Sequence, residues 1–452
     1  MIFKSINPFN LETVAEYTAL SDAQIQKKLD KAAKAFKSWK KTSFAQRTEL
    51  MGKVAAILRR DSEKLSILMT TEMGKIIGES RAEIEKSAGH VAFFAQNTEG
   101  MLHDEIIPFE GHKAMIAFDP IGCIFAIMPW NYPFWQVLRY AAPTIMGGNV
   151  TILKHAPNVF GCASAIEDIF IEAGFPEGVF QSIIIDTPQT ERIIEADIVQ
   201  GVTLTGSEYA GSAVAALAGK HIKKTVLELG GSDPFIVLAD ADVEKAAKVA
   251  TQSRMMNAGQ ACICAKRFIV VDAVREAFTH HFQQNITALK QGNPFDPSVN
   301  LGPMARLDLA EKLSKQMQYS IHQGATKVLG GERDNCHFKP ALLINVKFGV
   351  TAFDEETFGP MATVINVKNE AKAIELANNH RYGLAAAVWT KDVERGYKVA
   401  RQIESGNVFI NNMVRSDSRL PFGGVKKSGY GRELSAHGLK EFMNWKTIMI
   451  AE

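Results

Sequence analysis

The chain has 452 residues, of which 46% are hydrophobic and 22% charged, with a formal net charge of +2. That length exceeds what one hydrophobic core serves, so two or three domains are expected. The balanced charge carries no electrostatic footprint for nucleic acid or acidic membranes. The longest apolar runs, such as residues 121–128, have the length of a strand and not of a membrane span.

Five cysteines, an odd number scattered through a large chain, fit reduced thiols better than a disulfide framework. The start, MIFKSINPFN, lacks the apolar core of a signal peptide, so a cytoplasmic location is expected.

In chain order, the first hundred residues read as helices. Ser21 and Gln24 suit a capping box, each able to satisfy a free backbone N–H at the helix start. Ile25, Leu29, Ala32, Phe36 and Trp39 then recur at helical spacing. Further helical patterns run through Leu50, Met51, Val54 and Leu58, and from about Ile84 to Phe94.

Beyond residue 112 the pattern changes. Strand-like runs at 113–118, 121–128, 150–153, 180–185, 201–205, 225–229 and 234–238 alternate with helical patterns near 135–146, 159–173, 189–196 and 208–219. A second series follows, with strands near 267–271, 361–367, 385–389 and 407–410 and helices near 242–256, 273–290, 305–322, 370–379 and 391–403. Alternation of this kind predicts α/β units with parallel sheet. The Gly- and Ser-rich segment 415–432 reads as an ordered loop.

Neither the phosphate-loop motif of ATPases nor the G-x-G-x-x-G dinucleotide fingerprint is present. In GVTLTGSEYAGSAVA a strand ends at Gly206 before a helix. That arrangement suits anion binding by free N–H groups, and it also suits a plain strand–helix turn. Asn131 sits between Pro129 and Pro133, either as a turn residue or as a donor to a developing oxyanion. Glu228, between Leu227 and Leu229, is either a desolvated base or a residue on an exposed edge. In NAGQACICAKR, Cys262 and Cys264 have no histidine near them and no second cysteine pair, which argues against a metal site. Cys262 follows Gly259 and Gln260 on a loop, as a nucleophile would.

Taken together, PWNYP (129–133), LK (153–154), TLTGSEYAG (203–211), LELGG (227–231), GQACIC (259–264), NPFDPSVNLGPM (293–304), EETFGP (355–360) and PFGGVKKSGYGRE (421–433) resemble the aldehyde dehydrogenases, in that family's order and spacing. The resemblance implies a Rossmann-type nucleotide-binding domain (1–100 and 120–229) and an α/β catalytic domain (230–428). It also implies a small β oligomerisation element (101–119 and 441–452), hence a homodimer or homotetramer.

By the same resemblance Cys262 is the nucleophile, Glu228 the general base, and Asn131 the oxyanion donor beside the Cys262 N–H. Lys154 and Glu356 hold the riboses of NADP or NAD. Phe358 packs near the nicotinamide, Gly206 and Gly211 lie by the pyrophosphate, and Trp130 and Ser207 complete the cofactor contacts. Glu433 matches a proton relay.

Cys262-Ile-Cys264 is similar to the succinate-semialdehyde dehydrogenases, where a second cysteine can act as a redox partner. Arg139 and Ser416 match their substrate-binding positions. The arginine often found directly before NAGQ is Met256 here, with Arg254 two residues back. Pro157 replaces the glutamate that repels a 2′-phosphate, so use of both cofactors with NADP ahead is expected. Another small aldehyde, such as glutarate semialdehyde or a hydroxyaldehyde, and a cofactor-free thiol esterase are the alternatives.

Overall fold

The computed structural model describes residues 1–451. Its opening segment departs from the helical expectation. Ile2–Ile6 and Thr13–Thr18 pair as an antiparallel hairpin. IFKSI and TVAEYT are short and do not alternate polar with apolar residues regularly, so they do not stand out beside the long helical periodicities that follow. Helices Asp22–Trp39, Phe44–Arg60, Ser62–Met73 and Ile77–Met101 come next. The capping box at Ser21 and Gln24 forms, and a second one forms at Ser43 and Gln46.

Two large sheets carry the molecule. The first has six strands in the order 429–430, 224–228, 199–205, 123–127, 150–154, 180–182; all neighbours are parallel except the first pair. Strand Cys123–Ile127 pairs on one side with Val150–Lys154 and on the other with Val199–Thr205. The chain therefore winds outward in both directions from this strand, and a crevice opens where the winding reverses. In open α/β sheets, ligands bind in that crevice beyond the carboxyl ends of the strands.

The second sheet has seven strands in the order 326–329, 341–344, 361–367, 265–271, 233–237, 385–389, 407–410. Only 326–329 runs antiparallel to its neighbour. The strands at 326–329 and 341–344 are additions to the expected series. The mixed α/β class with parallel sheets is as the sequence implies.

A third sheet pairs Met443–Ala451 with His112–Pro120, which in turn pairs with Glu105–Phe109. The loop 415–432 contributes two-residue strands, one of which (429–430) lies against Leu227 and Glu228.

Candidate active site

The carboxyl ends of the central strands of the first sheet deliver the first groups. Strand 123–127 runs into Pro129–Asn131, strand 199–205 into Gly206 and Ser207, and strand 224–228 ends on Glu228. Facing them is the loop between helix Val243–Met255 and strand Ala265–Val271 of the second sheet. Asn257, Ala258 and Gly259 all have positive φ there, a left-handed path that non-glycine residues adopt only when their surroundings impose it. A Cβ on Gly259 would lie 2.3 Å from the Gly359 carbonyl, so the loop is pressed onto the Phe358–Pro360 turn. Buried Gln260 fixes it further, accepting from the Ala305 N–H at 2.9 Å and donating to the Asn257 carbonyl at 3.1 Å. This path places Cys262 on the cleft.

Cys262 is partly exposed, and burial of its surroundings pushes its thiol up to about 12; nearby Arg139 and Lys266 oppose the shift, while Glu228 and Asp233 add to it. The resting thiol is neutral, so the site needs a base to make the nucleophile. Its backbone N–H has no acceptor among the described residues. Asn131 lines the same cleft, 4% exposed. One Nδ2 hydrogen goes to the Gln260 carbonyl at 3.0 Å, which anchors the amide and leaves the second hydrogen free. Cys262 N–H and Asn131 Nδ2 are thus two available donors on one cleft.

Glu228 is 2% exposed, which decides between its two readings: it is no edge residue. Neither carboxylate oxygen has a hydrogen-bond partner. Burial raises its pKa to about 8, with Arg139 pulling down and Glu433 pushing up. Gly423 packs against it; a Cβ there would sit 3.0 Å from Oε1. Glu433, also buried, forms an ion pair with Arg139, whose Nη2 donates to Thr205 Oγ1 at 3.3 Å.

Arg139, which the resemblance implies for substrate binding, is already engaged within the protein. It is 2% exposed, and its charge is already balanced by Glu433. Ser416 is partly exposed, and its Oγ accepts from Lys86 Nζ at 2.8 Å.

Of the cofactor candidates, Trp130, Gly206, Ser207, Glu356 and Phe358 line a cleft of ≈ 870 Å³ together with Asn131 and Cys262; Gly211 and Lys154 lie outside its lining. Ser207 caps helix Glu208–Lys220, accepting from the Ala210 N–H at 3.2 Å. The free N–H groups of that helix start face an anion well. Gly211 has a packing role: a Cβ would lie 2.5 Å from Leu229. The glycines after Glu228 also have a defined task. A Cβ on Gly230 would lie 2.5 Å from Glu356 Oε2, and the Gly231 N–H donates to Glu356 Oε1 at 3.0 Å.

Lys266 completes that corner, 3.3 Å from Glu356 and donating to the Cys262 carbonyl at 2.7 Å. The rings of Trp130 and Phe358 meet edge to face at 5.8 Å. Lys154, at the end of its strand, is desolvated, which lowers its pKa, and has no carboxylate within ion-pair distance among the described residues. A cleft at the winding reversal, an open helix start, a fixed carboxylate and a free cation together fit a dinucleotide.

Some residues take places that the sequence left open, and others it did not single out. Arg254 does not reach the cleft; it is fully buried and donates to the carbonyls of Thr357 (2.7 Å) and Gly359, clamping the Glu356–Phe358 turn. Cys264 is fully buried, its thiol directed at the Met256 carbonyl. Helix Ile77–Met101 sends Glu79 to the Asn257 N–H (3.0 Å), and Glu83 to the N–H groups of Phe134 (2.9 Å) and Trp135 (3.0 Å). One helix thereby holds both the Asn131 turn and the Cys262 loop. Glu79, Glu83, Lys86 and His90 recur at helical spacing, a polar stripe that was available as a signal.

Among the described residues, no cluster of side chains suits a metal ion, and no helix is long and apolar enough to cross a membrane. The description "Aldehyde dehydrogenase family" matches residues 1–448. A probable succinate-semialdehyde dehydrogenase [NADP(+)] from a Synechocystis species is 45% identical, with 100% of both chains covered. A succinate semialdehyde dehydrogenase [NAD(P)+] from Escherichia coli is 44% identical, covering 98% of this chain and 97% of that one. The crystal structure of succinic semialdehyde dehydrogenase from Streptococcus pyogenes with NADP+ superposes with a TM-score of 0.98 at 34% identity, covering 100% of each chain.

Proposed function

The chain belongs to the aldehyde dehydrogenase family, and we propose that its substrate is succinate semialdehyde, oxidised at Cys262. The enzyme is an NAD(P)-dependent aldehyde dehydrogenase. The observation that carries the proposed chemistry is that Cys262 and donor Asn131 line one cleft where the sheet winding reverses, with unpaired Glu228 near enough to act on the thiol electrostatically. The choice of aldehyde draws support from the full-length relatives named for it.

In this reading Glu228 takes the proton of Cys262, and Sγ attacks the aldehyde carbon. Asn131 Nδ2 and the Cys262 N–H receive the new alkoxide; losing one such donor typically costs on the order of 10² to 10³ in rate. NAD(P), which Lys154 and Glu356 would hold at the open start of helix Glu208–Lys220, would supply the hydride acceptor for that carbon, leaving the acyl group as a thioester on Cys262. Glu228 then removes a proton from water, whose oxygen attacks the thioester carbonyl. The carboxylic acid departs and the sulfur is released. Arg139 and Lys266 face the charges that develop, and both already favour the charged sulfur. Glu433, held by Arg139 and facing Glu228 electrostatically, can pass on the proton that Glu228 collects.

NADP is the favoured cofactor, because Lys154 is free and Pro157 supplies no repelling carboxylate. The chain assembles into a homodimer or homotetramer through the sheet of 105–120 and 443–451, whose outer strand exposes Trp445 (57%), Met449 (51%) and Ile450 (49%) along an open edge. Five unpaired cysteines fit a reducing cytoplasm.

The test is kcat/KM for a panel of aldehydes with each cofactor. Succinate semialdehyde should lead, with NADP ahead of NAD. Ranking below uncharged aldehydes would overturn the substrate, and at least hundredfold preference for NAD would overturn the cofactor order.

A further inference from the structure

We propose that Lys86 is the residue that receives the distal carboxylate of the substrate. The inference rests on the succinate-semialdehyde reading above and assigns the charge that reading requires.

A semialdehyde bearing a carboxylate needs a cation across from the nucleophile. The two arginines that sequence pointed to are committed elsewhere. Arg139 is buried in an ion pair with Glu433, and Arg254 is buried among backbone carbonyls. At the position directly before Asn257, Met256 has no charge to offer.

Lys86 has what the arginines lack. Its ammonium lies 3.9 Å over the Trp135 ring and donates to Ser416 Oγ at 2.8 Å. Trp135 belongs to the same apolar cluster as Cys262, with Phe422, Leu384 and Leu434. The ammonium therefore caps an apolar wall whose other members reach the nucleophile. No carboxylate lies within ion-pair distance of it among the described residues. The acids that face it are engaged: Glu83 with Lys75, and Asp417 with Arg419.

Lys86 keeps an exposed side chain even though protein surrounds its ammonium closely enough for burial, then Arg139, to push its pKa down to about 8. The neighbours fix this arrangement. His90, one turn on, contacts Ser418 Oγ (2.8 Å) and the Arg139 carbonyl (3.2 Å), and its ring meets Trp135 edge to face. Burial lowers the His90 pKa to about 3, so the ring is neutral and does not compete for the carboxylate. Ser416 and Lys86 then offer a hydroxyl and an ammonium to the two oxygens of one carboxylate.

The experiment compares kcat/KM for succinate semialdehyde and for butanal, the uncharged aldehyde of equal chain length, with NADP at pH 7. Wild type, Lys86→Met, Lys86→Gln and Lys86→Arg are each scored by the ratio of the two values, which cancels losses in folded protein. The ratio should fall roughly tenfold to a hundredfold in Lys86→Met and Lys86→Gln, the value of one charged hydrogen bond, mostly through KM, and recover in Lys86→Arg. A wild-type preference for succinate semialdehyde that survives both neutral variants overturns the role of Lys86. A wild type with no such preference overturns the substrate reading itself.

Discussion

The two sides of Cys262 are built on opposite principles. On the cofactor side, the carboxylates are paired, while Lys154 stays free: Glu356 has Lys266 and the Gly231 N–H, and Glu208 has Arg381. On the other side, Glu228 is buried with neither oxygen bonded, and Lys86 has no acidic partner. Pairing holds a group still and satisfied, which suits a surface that grips a constant cofactor. A polar group left without a partner is costly where it is buried, and its persistence marks groups whose partner arrives with the substrate or forms during the reaction.

Substitutions can break this contrast, beginning with the largest effect. Cys262→Ala should abolish aldehyde-dependent absorbance at 340 nm. Glu228→Gln should lose about 10² to 10⁴ in kcat, the usual contribution of a positioned general base, whereas a loss under threefold would make Glu228 a bystander. Asn131→Ala should cost on the order of 10² to 10³ in kcat, with little change in cofactor KM. Lys266→Met attacks the paired side, freeing Glu356 and the Cys262 carbonyl. It should raise the KM for NADP roughly tenfold, the value of a charged hydrogen bond; an effect confined to aldehyde KM would misplace Glu356. Smallest of all, Cys264→Ala should change kcat/KM less than about threefold, as expected for a small substitution remote from the chemistry. Iodoacetamide mapping by mass spectrometry should find Cys262 labelled and Cys264 protected in the native enzyme. Labelling of Cys264 at a comparable rate would show it to be accessible for a redox exchange.

Sequence legibility cut across this divide. The parallel sheets were readable because their strands and helices alternate at regular intervals, and Cys262, Glu228 and Asn131 because each lies in a short local motif. The opening hairpin was missed because residues 2–18 are overshadowed by four long helices. Arg139 and Arg254 were harder, since an arginine in sequence shows its charge and not its partner. Glu433 and two backbone carbonyls, both remote in sequence, decide their fates. Lys86 belongs to a helix that reads as scaffold, and its partner Ser416 is 330 residues away. Glycines were legible as close approaches, yet only the fold shows that Gly230 makes room for Glu356 and Gly211 for Leu229.

The most direct test of the unpaired side is the pH dependence of wild-type kcat/KM for succinate semialdehyde and butanal between pH 6 and 10. Glu228 acts as the charged base, present above its pKa of about 8, so both aldehydes should gain activity as pH rises through that value. Lys86 binds as the cation, present below about 8, so succinate semialdehyde alone should then lose kcat/KM as pH climbs further. The other groups around Lys86 stay out of the way: His90 is neutral throughout, Asp417 is held well below the usual carboxylate range by Arg419, and Glu83 is paired with Lys75. A shared acid limb with an alkaline limb for the charged aldehyde only is the expected result. Superimposable profiles for the two aldehydes, or level profiles down to pH 6, would contradict it.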